Sequence, residues 1–206
     1  MGNVNLIQMK KSVKIIADII IKNEVLFCEL DSVAGDGDFG MSVAKGFKEL
    51  LKQWENLSDE SISKFLKDCS MIITEYCGGA SGPIWGSAFR SASKYTKDKE
   101  ELNAEDISGL FAAGIQGIQK RGSAKLGDKT LLDALIPAYE AMNSCKDKSI
   151  IHMLKEGAKA ARKGAEKTKE IVALKGRASY VGERSVNYPD AGAMAIAIIF
   201  ETALKM

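Results

Sequence analysis

The sequence predicts an all-α fold, a bundle of about eight amphipathic helices. Apolar residues recur at helical spacing almost throughout, while strand-like alternation is scarce and β-branched runs are short. Prolines are rare: Pro83, Pro137 and Pro189 are the 3 in 206 residues. Connections between the periodic segments are short, which makes neighbouring helices antiparallel.

The first helix is expected from about Asn5 to Glu29, with Leu6, Met9, Val13, Ile16, Ile20 and Phe27 near one face. Leu30–Gly40 then reads as a loop, because Asp36 and Asp38 among Gly35, Gly37 and Gly40 are poor helix formers. The second helix covers about Met41–Trp54. Ser58, Glu60 and Ser61 mark the next start, and that helix runs to about Tyr76. Cys77–Pro83 breaks the pattern, and the fourth helix runs from Pro83 to about Thr96. The fifth opens at Asn103 or Ala104 and ends near Arg121-Gly122. Gly127-Asp128-Lys129-Thr130 starts the sixth, with Asp128 as its cap, Lys129 solvated and a kink at Pro137. The seventh spans about Lys148–Val172, with Lys155, Glu156, Lys159, Arg162, Lys163 and Glu166 on a solvated face. After the irregular stretch Leu174–Pro189, a nearly all-apolar helix from about Asp190 to Leu204 should be buried on most sides.

Composition excludes several classes. The chain is 46% hydrophobic, enough for a sizeable core, and its formal net charge is only +2, which argues against nucleic-acid binding through a basic surface. Cys28, Cys69, Cys77 and Cys145 are widely spaced with no C-x-x-C pair, so reduced thiols are expected and a zinc site is not. No apolar run is long enough for a membrane span. The start lacks the plan of a signal peptide, so a cytoplasmic location is expected. The single histidine, His152, excludes mechanisms that need a pair and reads as structural.

In an up-and-down bundle, Asp31–Gly40, Cys77–Pro83, Gly122–Gly127 and Leu174–Pro189 gather at one end. These are the glycine-rich or chemically loaded connections; the others are plain polar turns. Asp31, Asp36 and Asp38 are hard oxygen donors suited to Mg2+ or Ca2+. An EF-hand is excluded, since the twelfth position from Asp36 is Phe47, not glutamate. Gly78, Gly79 and Gly82 around Ser81 suit a phosphate at a helix start, with helix capping by Ser81 and Pro83 as the plain alternative. Gly122–Thr130 nearly mimics a P-loop, but Asp128 separates Gly127 from Lys129 and no strand precedes it. Arg177 and Arg184 in a glycine-punctuated loop suit phosphate clamping. Asp190-Ala191-Gly192 can cap the last helix. Carboxylates for metal, glycine loops and arginines together fit Mg-nucleotide binding and phosphoryl transfer.

Several motifs then share one order: Leu30-Asp31 with Gly35-Asp36-Gly37-Asp38, Gly78–Pro83, Gly127–Thr130, Gly176–Tyr180 with Gly182–Ser185, and Asp190–Ala193. In that order, over essentially the whole chain, the sequence resembles the nucleotide-binding L subunits of dihydroxyacetone kinases, of the phosphotransferase-system-linked type. The resemblance implies a single domain over residues 1–206, a closed barrel of about eight antiparallel helices with the nucleotide at one end. It implies that Asp31, Asp36 and Asp38 hold a pair of Mg2+ ions bridging the phosphates of ADP or ATP, with Arg177 also catalytic. Gly79, Ala80 and Ser81 would contact phosphate. Phe39, Met41, Ser42, Gly122, Leu131, Arg177, Asp190 and Gly192 would line the nucleotide pocket. It further implies a ketose-binding K subunit, a phosphotransferase M subunit, and in some members a transcription regulator or a homodimer. Phe39 stands where many members have histidine, and Ser42 where asparagine or threonine is common. The alternatives are a paralogue for another ketose such as erythrulose, a regulatory module, or a metal-stabilised helical protein with no nucleotide.

Overall fold

The computed structural model describes residues 2–145 and 149–205. Among them are nine α-helices: α1 (Leu6–Lys22), α2 (Glu24–Ser32), α3 (Phe39–Lys52), α4 (Ile62–Tyr76), α5 (Ser81–Tyr95), α6 (Ala104–Gly122), α7 (Leu132–Ser144), α8 (Ile150–Lys167) and α9 (Ala191–Ala203). Short 3-10 turns occur at Trp54–Asn56, Thr168–Glu170 and Arg177–Ser185. Packing runs from α1 to α3 and then through α4, α5, α6, α7 and α8 to α9, which packs back on α1. The helices therefore close into a barrel, and α2 lies against α3 and α9 at one rim.

Amphipathic stripes build the wall. On α3, Val43, Ala44, Phe47 and Leu50 face inward; on α8, Met153, Gly157, Ala158, Ala161 and Ala165 do so while the charged face is turned to solvent. Phe47, fully buried, meets Trp85 and Phe89 edge-on, at ring-centroid distances of 6.0 and 6.3 Å. Burying such a ring stabilises the fold by about 2–3 kcal/mol. The apolar α9 buries Ile196, Ile199 and Phe200 against its neighbours.

Helix ends differ from expectation in informative ways. The first expected helix is two, because Asn23 turns out of helical geometry and its side-chain amide donates to the Ile19 carbonyl at 2.8 Å. The resumed helix α2 reaches Ser32, so Asp31 sits on a last helical turn rather than in a loop. Helix α3 already begins at Phe39 and crosses α2 so closely that a Cβ on Gly40 would collide with the Glu24 carbonyl. Helix α7 starts at Leu132, later than Gly127–Thr130 suggested, and runs unbroken through Pro137. The expected seventh-helix start at Lys148 lies outside the described residues; α8 ends at Lys167, short of Val172.

One rim carries residues 33–38, 77–80, 123–131 and 171–190. The other carries the start of α1, the 53–61 and 96–103 turns, and a backbone pairing between Val4 and Leu102. Among the described residues no helix is long and apolar enough to cross a membrane.

Candidate functional site

The site begins with three carboxylates. The last turn of α2 ends at Asp31, whose carbonyl accepts from Gly35 N–H at 2.6 Å, folding the chain back at once. That turn brings Asp36 and Asp38 beside the Asp31 side chain, and carboxylate oxygens from all three lie within 4.8 Å of one another. Asp38 occupies the N-cap position of α3 without spending its side chain on capping. Burial, with the charges of Asp36 and Asp38 adding, raises the Asp31 carboxyl above its ordinary value, against hydrogen bonds from the Phe39 and Gly37 amides. Repulsion at this spacing calls for a cation. Arg177 partly supplies one: its Nη1 is 2.5 Å from Asp36 Oδ2 and its Nη2 3.9 Å from Asp38 Oδ2. Three converging carboxylates on a short turn also fit a hard divalent ion such as Mg2+.

The second component is the start of α5. Gly79 takes a left-handed φ of +53°, which glycine tolerates, and turns the chain into the helix. Ser81 is the first helical residue and not a cap, contrary to the capping alternative; the N-cap position is Ala80, which has no side-chain acceptor. The Ser81 hydroxyl thus stands at a positive helix end. Gly78 N–H donates to the Ser42 carbonyl at 3.0 Å, and a Cβ on Gly78 would lie 2.6 Å from Ser42 Oγ. The starts of α3 and α5 are therefore adjacent. Helices α7 and α9 also start at this rim.

The third component is the wall around α7 and α9. Gly192 lies against Leu131, where a Cβ would sit 3.3 Å from the Leu131 Cβ. Gly122 meets Ile84 of α5 in the same way. Asp190 caps α9, accepting from Ala193 N–H at 2.7 Å, while its own N–H donates to Thr168 Oγ1 at 2.8 Å. Burial pushes its carboxyl up to about 7; the charges of Asp133 and Asp31 add to this, and the Ala193 amide and Lys129 oppose it.

Two expected residues turn partly away. The Phe39 ring packs on Phe27 in the core, leaving its amide to donate to Asp31 Oδ2 at 3.4 Å. The Met41 side chain lines an outer groove with Glu24, Lys45, Lys48 and Tyr76. His152 is exposed on the first turn of α8, at the opposite rim.

The turn before α7 corrects the sequence reading most. Asp128 does not cap α7; it is buried, and its Oδ2 accepts from Lys125 N–H at 2.9 Å. Lys129 is 2% exposed rather than solvated. Asp133, unremarked in the sequence, is buried and accepts from Gly127 N–H at 2.6 Å and Thr130 N–H at 2.7 Å. The Thr130-x-x-Asp133 spacing, a capping-box pattern, is the signal that points to it.

A closed helical ring with a carboxylate cluster, an uncapped glycine-rich helix start and an arginine on one rim defines a class: an all-α domain equipped to seat a divalent cation beside an anion. More particularly, the chain belongs to the DAK2 domain family, whose sequence profile matches residues 33–205. It is 36% identical over 184 residues to the ADP-binding subunit DhaL of PEP-dependent dihydroxyacetone kinase 1 from Listeria innocua, covering 89% of this chain and 88% of that one. It is 32% identical over 186 residues to the corresponding Escherichia coli subunit, covering 89% of each. It is also 33% identical to L-erythrulose 1-kinase of Mycolicibacterium smegmatis, covering 87% of this chain and 32% of that one. The dihydroxyacetone kinase of C. freundii, solved in complex with AMP-PNP and Mg2+, shares the fold at a TM-score of 0.76 and 22% identity. All of this chain aligns with it, spanning about a third (34%) of that protein.

Proposed function

We propose that the chain is the nucleotide-binding subunit of a dihydroxyacetone kinase, a phosphotransferase that acts only with a partner subunit, and that residues 1–206 form one domain. The observation that carries this reading is the convergence of Asp31, Asp36 and Asp38 within 4.8 Å on the rim that also holds Arg177 and the start of α5. These aspartates would hold Mg2+, as a pair of ions, which would supply positive charge to neutralise the phosphates of ADP or ATP. The Gly79 and Ala80 amides and the Ser81 hydroxyl receive phosphate oxygens at the positive end of α5. The Arg177 guanidinium, held beside Asp36 and Asp38, would add positive charge toward the phosphates. Gly122, Leu131 and Gly192 offer small, partly apolar surfaces to the base and sugar. Phe39, Met41 and Ser42 at the start of α3 line the floor, and Asp190 fixes the start of α9.

Among the described residues the rim holds no histidine, which fits a substrate that arrives on a K subunit. Exposed Val33, Met41, Leu126, Leu174, Tyr180 and Tyr188 around the site support a docking surface for it. Near full-length similarity to separate ADP-binding subunits of PEP-dependent kinases supports rephosphorylation of bound ADP by an M subunit. A second reading, erythrulose as the ketose, is favoured by the similarity to the erythrulose kinase.

The test mixes the purified chain with K and M subunits, a phosphoryl donor, and dihydroxyacetone or erythrulose in turn. Phosphorylated ketose, lost with Asp36→Ala, is expected, as is ADP that survives dialysis. No product from any short ketose overturns the reading.

A further inference from the structure

Lys129 is a buried cation that the reaction above does not use. Its Nζ donates to three backbone carbonyls: Ser185 at 2.5 Å, Tyr188 at 2.8 Å and Ile171 at 3.2 Å. An ammonium has three donors, so it is saturated without a carboxylate. The backbone at Lys129 is left-handed, with φ +61°, a conformation that costs a side-chain-bearing residue about 1 kcal/mol or more. Burying an ammonium is a further cost. Packing alone would be served by an apolar side chain, so both costs at one residue ask for a purpose.

The carbonyls show what is held. Ile171 lies where the chain enters the 171–190 segment, and Ser185 and Tyr188 lie where it leaves. The ammonium joins the two strands of that neck. Other bonds support it: Ser185 Oγ accepts from Ala173 N–H at 2.9 Å and donates to Gly182 O at 2.7 Å, Asn187 N–H reaches Lys169 O at 2.8 Å, and Leu174 N–H reaches Asp128 O at 3.1 Å. Beyond the neck, the segment reaches the carboxylate cluster through Arg177. After it, the chain passes directly into Asp190 and α9.

We propose that Lys129 is a positioning residue for the nucleotide site: its ammonium is a built-in cation that closes the neck of the 171–188 loop and so fixes Arg177 over Asp36 and Asp38. This rests on the nucleotide-binding reading above. Lysine suits the role because three carbonyls converging on one point form a cradle for a compact, monovalent cation. A planar guanidinium does not match that geometry.

The test uses Lys129→Gly, since glycine accepts the left-handed backbone without strain. Affinity for ADP in Mg2+ is measured by calorimetry, and amide exchange is followed along the whole chain. Affinity should fall about tenfold or more. Exchange should rise in 171–190 while α3 to α6 stay protected. Propylammonium, which replaces most of the deleted side chain, should restore affinity by roughly threefold or more, and tetramethylammonium at equal ionic strength should not. Wild-type affinity in the variant, a uniform rise in exchange, or equal effects of the two salts overturns the proposal. If Lys129→Gly does not fold, Lys129→Asn carries the test: asparagine tolerates the left-handed backbone and removes the ammonium that closes the neck. It should weaken affinity by roughly threefold with the same local rise in exchange; no change in either overturns the proposal. A wild-type chain that binds no ADP overturns the nucleotide reading instead, and loop exchange then judges the clasp by itself.

Discussion

The two rims of the barrel end the same helices in opposite ways. At the plain rim, the starts of α1, α4 and α6 are closed by side chains of their own first turns. Asn5 with Gln8 and Asn103 with Asp106 form full capping boxes on α1 and α6, and Ser61 accepts from Lys64 N–H on α4. At the loaded rim, α3 and α5 start at Asp38 and Ala80 with no side-chain cap, whereas Thr130 Oγ1 accepts from Leu132 N–H at 3.2 Å at the start of α7 and Asp190 caps α9. Each missing cap forgoes about 1 kcal/mol. At α5 this leaves the Ser81 hydroxyl and a positive helix end for a ligand. The clustered carboxylates of Asp31, Asp36 and Asp38 repel one another there, whereas Asp106 at the plain rim is paired with Lys99 at 2.7 Å.

The largest test of this contrast is Asp31→Asn. Activity in the assembled kinase should fall by about 10²–10³-fold, because one ligand of the metal site is lost. The Mg2+-free protein should melt at an equal or higher temperature, since the substitution removes a partly buried charge that repels two others. Loss of both activity and metal-free stability would make the aspartates an ordinary structural cluster.

The next tests exchange the characters of the rims. Ala80→Asp places an anion at the open start of α5. It should add at most about 0.5 kcal/mol of stability through the helix dipole while weakening ADP binding about tenfold by repelling phosphate. Asn103→Ala removes a capping box at the plain rim and should cost about 1 kcal/mol of stability, with ADP affinity of the folded protein unchanged. Calorimetry and thermal melts on both variants separate the two behaviours. Equal effects on stability and affinity in either variant would dissolve the distinction between the rims.

Much of this was legible in the sequence because periodicity reports which face is buried. The inward stripe of α3, the solvated charges of α8 and the apolar α9 all follow from spacing. Loop parity located the loaded rim, since short connections force alternation. What sequence could not carry was the tertiary fate of polar residues. Lys129 looked solvated because its partners are carbonyls 42 to 59 residues away. Asp128 looked like a cap because it precedes a helix, yet the helix starts later and the side chain closes its own turn. The break at Asn23 was hidden because apolar spacing continues across it, and with it the helical position of Asp31.

The finest test uses pH, because the rims respond with opposite signs. At the plain rim, burial works to raise the Asp106 carboxyl, but the Lys99 ammonium and the Asn103 amide outweigh it and hold it below its ordinary value of 3.8. A depressed carboxyl contributes stability above the unfolded value and loses it as pH falls through the folded one. At the loaded rim, Asp190 is raised from 3.8 to about 7, chiefly by burial. A raised carboxyl contributes stability that is fully present below the unfolded value and lost as pH rises through the folded one. Stability of the Mg2+-free chain should therefore decline between about pH 4 and pH 7. Asp190→Asn keeps an acceptor for the Ala193 amide but removes the titration, so it should flatten that decline. Its melting temperature should match wild type near pH 4 and exceed it near pH 8 by about 2–4 °C, the equivalent of about 1 kcal/mol in a chain of this size. A variant curve parallel to wild type across the whole range would mean that Asp190 titrates as an exposed cap does. The loaded rim would then have no desolvated anion at the start of α9.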